Sequence, residues 1–276
     1  MADMRWSECP VVIPYMGGKF ELSRQLVPML PPHTRYIEVF AGGLSMFFRK
    51  KLAKWTVVND KDSDISNLYE SIRRCYSVFK WNVNMLVKSR TVFEICKANI
   101  NGTQKIDIPD PVRAAEYYFV LKNAFNNNLH LTMSKDCQWN THMLDDVMES
   151  KKKFNDITIE NMDFAELIKR YEPRDGDLWY LDPPYYIATD RGDYYRHNFT
   201  ENDHDILADC VRFIDKKGGK FMVSYDDKEE VKRLYEDFYI TEIRTQYSGN
   251  NHIMQKPRVE LVITNYKPRK QEGLFE

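Results

Sequence analysis

No stretch of this 276-residue chain stays apolar for the ~18 residues that a membrane span needs. Its first ten residues carry Asp3, Arg5 and Glu8 where a secretory leader would have an apolar core. A cytoplasmic, non-membrane protein is expected. Cysteine is sparse: Cys9, Cys75, Cys96, Cys137 and Cys210 are odd in number, far apart and without a Cys-x-x-Cys pair. That excludes a disulfide framework and the common zinc sites and fits a reducing compartment, so no metal is expected. An excess of either charge is also lacking, with 40 Lys and Arg against 41 Asp and Glu. A uniformly basic nucleic-acid coat is therefore excluded. Gly-x-Gly-x-x-Gly is missing too, which removes the usual cradle for a dinucleotide pyrophosphate.

What is present is an α/β pattern. Short β-rich runs occur at 35–40, 55–60, 157–161, 178–181 and 220–224, and a final pair at 239–243 and 259–264 alternates like a hairpin. Between the second and third runs lie about ninety residues in which helical patterns dominate, at 64–79, 91–99 and 111–125. A strand crossover does not need that length, so an inserted helical subdomain is expected. From Glu70 to Asn155 there are 13 Lys and Arg against 9 Asp and Glu, a local net of +4. That is the sign a phosphate-facing segment requires, although a mixed surface gives the same count.

Chemistry concentrates where the fourth run ends, at Asp182-Pro183-Pro184-Tyr185. The prolines fix φ and lack N–H groups, so the carbonyls of Asp182 and Pro183 are free to face a ligand. One carboxylate, rigid carbonyls and an aromatic face suit a planar amine: the acceptors take its two hydrogens, Tyr185 stacks on it, and its lone pair points outward. A Pro-rich turn after a buried strand is the plain alternative. Phe40-Ala41-Gly42-Gly43-Leu44-Ser45 follows the first run, where glycines let a ligand approach the backbone or simply make a tight turn. Asp60 ends the second run, where nucleotide-binding α/β folds place an acid on ribose hydroxyls; a cap is the alternative. Tyr15-Met16-Gly17-Gly18-Lys19 precedes a helix and offers a lysine for a carboxylate, while Asp163 and Phe164 suit an adenine amine and ring. A ribose acid without a pyrophosphate loop, beside Asp-Pro-Pro-Tyr, points to S-adenosylmethionine and not to NAD.

In this order the motifs resemble the Dam-like (D12 class) N6-adenine DNA methyltransferases over nearly the whole chain. The resembling segments are Tyr15 to Lys19, Glu38 to Ser45, Asn59-Asp60, Asp182 to Tyr185 and Pro257 to Tyr266. The resemblance implies a Rossmann-like methyltransferase sheet with a C-terminal antiparallel hairpin. Residues 1–66 and 157–276 would be catalytic, and 67–156 would be a target-recognition insertion that binds double-stranded DNA. It implies catalysis by Asp182, Pro183, Pro184 and Tyr185 on an adenine flipped from the duplex. Methyl-donor contacts would come from Tyr15, Gly17, Gly18, Lys19, Glu38, Phe40, Gly42, Gly43, Ser45, Asp60, Asp163, Phe164 and Asp182. DNA contacts are expected from Lys122, Asn126, Asn127, Asn128 and Leu129, since an Asn amide can pair with adenine N6 and N7. A cognate restriction endonuclease is a candidate partner. Two departures stand out: Leu44 occupies a position that is often glycine, and Leu131 stands where GATC-specific members have an arginine. An amine methyltransferase acting on RNA or protein glutamine, and a non-catalytic nucleic-acid-binding relative, are the competing readings.

Overall fold

The computed structural model describes residues 12–13, 19–102, 106–125, 128–135, 139–140, 143–186, 199–245 and 258–268. Its strands are β1 (Arg35–Glu38), β2 (Trp55–Asn59), β3 (Thr158–Glu160), β4 (Asp177–Leu181), β5 (Lys220–Asp226), β6 (Tyr239–Thr245) and β7 (Arg258–Thr264). Each falls where a β-rich run was expected, and all join one sheet in the order β3-β2-β1-β4-β5-β7-β6. The first five strands are parallel, while β7 pairs antiparallel with both β5 and β6. The α/β class and the C-terminal antiparallel strands are thus as the sequence indicated. The last strand, however, inserts between β5 and β6 and does not lie at the edge.

Period-two alternation assigns the faces. Ile37, Trp179, Leu181, Phe221 and Val223 pack on one side under α8 (Phe164–Tyr171) and α9 (Glu201–Lys216). Their sequence neighbours Tyr36, Leu178, Tyr180 and Met222 pack on the other, with Val262, against α1 (Phe20–Leu26) and α2 (Ser45–Arg49). A single-residue slip of β4 would exchange Trp179 with Tyr180 across the sheet, so the register is firmly set. Thr200 starts α9 with a reciprocal capping box to Asp203. A short helix, α10 (Glu229–Leu234), links β5 to β6.

The segment between β2 and β3 is helical: α3 (Ser63–Arg74), α4 (Tyr76–Met85), α5 (Arg90–Asn101), α6 (Pro111–Asn123) and α7 (Met143–Lys151). Asp110 caps α6 by accepting the N–H groups of Val112 and Arg113, and Pro111 occupies its first turn, where no N–H is missed. Buried Tyr117, Tyr118, Phe119, Val120 and Leu121 make α6 the centre of this bundle. The same apolar cluster runs on into Ala41, Leu44, Phe47, Phe48 and Val58 around the sheet. The expected boundary between residues 66 and 67 falls inside α3.

The chain builds β1, β2 and β3 outward, then returns to place β4 on the other side of β1. Strand order therefore reverses between β1 and β4, and in open α/β sheets the ligand crevice lies at the carboxyl ends of strands flanking such a reversal. Glu38 ends β1 there, and Asp182 follows β4 directly.

Candidate active site

Asp182 leaves the sheet with its carboxylate gripped from two sides. Ser224 Oγ, on neighbouring β5, donates to Oδ1 at 3.0 Å, and Lys19 Nζ stands 3.4 Å from the same oxygen. Tyr180 OH lies 3.2 Å from Ser224 Oγ and extends the chain of contacts into the core. Burial pushes the Asp182 carboxyl above its ordinary range; Lys19 pulls it back, and the nearby Glu260 carboxylate pushes it up again. Lys19 also lies 3.1 Å from Glu260 Oε2 and 4.2 Å from the centre of the Tyr185 ring. Tyr185 OH donates to that same Oε2 at 2.6 Å. The sequence reading offered Lys19 to a ligand carboxylate; here its buried ammonium sits against Asp182 and Glu260.

The carboxyl ends of β1 and β2 form the adjoining wall. Asp60 Oδ2 accepts the Gly42 N–H at 2.8 Å and Oδ1 accepts the Asp62 N–H at 2.9 Å. A carboxylate has about four acceptor positions, so these two bonds, with the Lys61 N–H also nearby, do not exhaust it. Burial lifts its carboxyl to about 7, against the lowering by Gly42. Gly42 adopts φ 44 and Leu44 adopts φ 54, both left-handed. For a leucine this costs on the order of 1 kcal/mol, offset by a side chain that lies wholly in the core. Tyr69 OH, from α3, holds the Gly42 carbonyl at 2.5 Å. Asn59 ties the wall together: its amide donates to Val39 O at 2.9 Å and Met162 O at 3.1 Å, and its Oδ1 accepts the Met162 N–H. Gly43 lies in the turn before α2, and Ser45 is its first, buried residue.

Glu38 is buried and accepts Tyr36 OH at 2.7 Å, and burial raises its carboxyl to about 8. Asp163 caps α8 through the Ala165 N–H and pairs with Lys61 at 3.0 Å. Phe164 and Phe40 sit beside it with ring centres 5.7 Å apart, joined by Phe199 at 5.7 and 6.0 Å. Pro183 is buried and Pro184 half-buried. Tyr15, Gly17 and Gly18 lie outside the described residues.

Of the expected DNA contacts, Asn126 and Asn127 also lie outside the described residues. Asn128 is buried, and its Oδ1 accepts the His130 N–H at 2.8 Å, closing a turn. Leu129 is buried next to it, and Lys97 braces the turn from α5 through the carbonyls of His130 and Leu131. Lys122 lies over the Tyr118 ring, 5.5 Å from its centre, and burial lowers its pKa.

Three contributors escaped the sequence reading. Glu260 and Ser224 lie on strands far from the motif in sequence, and Tyr69 lies on α3. An acid flanked by Val259 and Leu261-Val262-Ile263 was the one available signal for Glu260.

A parallel sheet with this reversal, closed by antiparallel β7 and with Asp182 and Asp60 at the carboxyl ends of its strands, has the architecture of the methyltransferase class. Comparison places it more narrowly. Residues 15–248 match the model of the D12 class N6 adenine-specific DNA methyltransferases, and the chain belongs to that family. It is similar to type II methyltransferase M1.LlaDCHI of Lactococcus lactis subsp. cremoris, with 28% identity over 91% of this chain and 94% of that one. The retron Ec67 DNA adenine methylase of Escherichia coli is 24% identical over 82% and 81% of the two chains. Type II methyltransferase M.MjaIII of Methanocaldococcus jannaschii is 24% identical over 91% and 97%. The protein is thus an adenine-specific DNA methyltransferase, and no helix among its described residues is long and apolar enough to cross a membrane.

Proposed function

We propose that Asp182, Pro183 and Tyr185 hold a flipped adenine of duplex DNA and present its N6 lone pair to S-adenosylmethionine. The observation that carries this is the cluster of Asp182, Lys19, Tyr185 and Glu260 at the strand reversal, which locks the carboxylate and the ring into one frame. S-adenosylmethionine supplies an electrophilic methyl group on its sulfonium sulfur. The wall fits it: Asp60 keeps acceptor capacity for a ribose diol, and Phe40 and Phe164 offer apolar faces to an adenine ring.

Asp182 and the Pro183 carbonyl accept the two N6 hydrogens, which localises electron density on nitrogen and fixes the amine's approach. As N6 becomes positive on methylation, the Asp182 carboxylate stabilises that charge and is placed to take the surplus proton. Its raised affinity for a proton suits that task. Tyr185 stacks on the base and compensates part of the few kcal/mol spent on unstacking it. Asn126, Asn127, Asn128 and Leu129, the last two in the turn braced by Lys97, are the residues we assign to reading the duplex, together with Lys122. The type II designation of two relatives supports a cognate restriction endonuclease as partner.

The test is transfer of tritiated methyl from S-adenosylmethionine to unmethylated duplex DNA, with base analysis and mapping of modified sites. N6-methyladenine in one short context is expected, and Asp182→Ala should lose at least about 10²–10³-fold in rate. Label entering RNA or protein but no DNA would overturn the assigned substrate. An Asp182→Ala enzyme within tenfold of the parent would overturn the assigned acceptor.

A further inference from the structure

Glu260 is an acid in an otherwise apolar stretch of β7, opposite Asp226 of β5, and only 3% exposed. Burying a carboxylate costs several kcal/mol unless partners compensate, so its presence there calls for a physical reason. One oxygen, Oε2, receives both the Lys19 ammonium and the Tyr185 hydroxyl. We propose that Glu260 is a positioning residue for methyl transfer, sharing Lys19 with Asp182 and anchoring the Tyr185 ring for the incoming base. This rests on the adenine reading of the site given above.

Two effects follow from that geometry. The first is electrostatic. With Glu260 in place, the buried Lys19 ammonium is shared between two carboxylates and does not belong wholly to Asp182. Without Glu260, Lys19 would turn more fully to Asp182 and weaken it as acceptor for the amine. The rise that Glu260 causes in the proton affinity of Asp182 has the same sign. The second effect is orientational. The hydrogen bond through its hydroxyl anchors the tip of Tyr185. The ammonium, 4.2 Å from the ring centre, covers one face and opposes rotation of the ring about its long axis.

The experiment compares Glu260→Gln and Glu260→Ala with the parent in single-turnover methylation of unmethylated duplex DNA at saturating donor. Donor Kd is measured by calorimetry and folding by urea titration. Glu260→Gln keeps the size of the side chain and an acceptor for Tyr185 but removes the charge. It should slow transfer by about 10- to 100-fold while leaving donor Kd within about threefold. Glu260→Ala should be at least as slow. A Glu260→Gln enzyme that keeps pace with the parent overturns the inference, as does a loss expressed wholly in donor affinity. A parent that labels no DNA would bring down the adenine reading and this inference with it. A parent that labels DNA beside an equally fast variant brings down this inference alone.

Discussion

Burial pushes a carboxyl toward its protonated form, and Glu38 is such a case, against the lowering by the Tyr36 hydroxyl and the Phe47 N–H. Its pKa of about 8 in the fold compares with the usual 4.5, and burial is the chief cause. Between those values the folded chain keeps a proton that the unfolded chain has released, so its contribution to stability falls as pH rises. Glu38→Gln removes the titration and keeps the acceptor for Tyr36. Relative to Glu38→Gln, the parent should lose about 2–3 kcal/mol between pH 5.5 and 7.5, at about 1.4 kcal/mol per unit. Urea titrations at both pH values check this, and a gap that does not change with pH would remove Glu38 as the titrating group. Burial lifts Asp60 to about 7, which bears on the donor contact proposed for it. Protonation removes the acceptor that ribose hydroxyls need, so donor affinity should weaken below about pH 7, by up to tenfold per unit. Asp60→Asn should bind weakly with a flat pH profile; a profile as steep as the parent's would place the titration elsewhere.

Single elements show what sequence patterning can and cannot resolve. The seven strands were legible because short β-rich runs bounded by turn residues mark them independently of the rest of the fold, the last two also by alternation. The helical run 64–79 was read as continuous, yet the chain breaks at Cys75 (φ −127°, ψ 31°) and starts α4 at Tyr76. No glycine or proline marks that break, and Ile72, Tyr76, Phe79 and Val83 keep helical spacing across it. Asp163 was assigned to a ligand, and its carboxylate also caps α8, a helix already visible in the apolar positions 164, 167 and 168. The lock between helices was invisible for a different reason: Arg113 and Asp64 are far apart in sequence. Arg113 grips Asp64 with bonds of 2.6 and 2.9 Å and donates to the Asn99 and Ile100 carbonyls that end α5. It therefore fastens α3, α5 and α6 at one point. Asp64 is almost wholly buried, so Arg113→Met would strand a charge and should cost about 3–5 kcal/mol. A loss under about 1 kcal/mol in urea titration would mean that Asp64 finds water or another cation.

The motif order made the catalytic side of the whole molecule readable, because each motif is built of residues adjacent in sequence; the strand reversal was not, since it pairs Arg35–Glu38 with residues 177–180. How the helical segment is mounted was not readable, since its core is made with residues on either side of it. Phe154 packs within 5.3–5.8 Å of Tyr69, Phe47 and Phe48, so the end of the segment closes on the helix that follows the Gly-rich turn. Leu44, Phe47 and Val58 share one apolar cluster with Tyr118, Phe119 and Val147. The segment's core is continuous with the catalytic part through Ala41, Leu44, Phe47, Phe48 and Val58, so the two share one apolar cluster. Residues 67–156 should therefore not fold alone, and the protein should unfold in one transition. Two tryptophans report the two parts: Trp139 against Tyr118 and Phe119, and Trp179 inside the sheet. In variants retaining one or the other, fluorescence midpoints in urea should coincide, and S-adenosylmethionine should raise both together. Midpoints that separate, with only the Trp179 signal responding to the donor, would show two independently stable domains and refute the shared core.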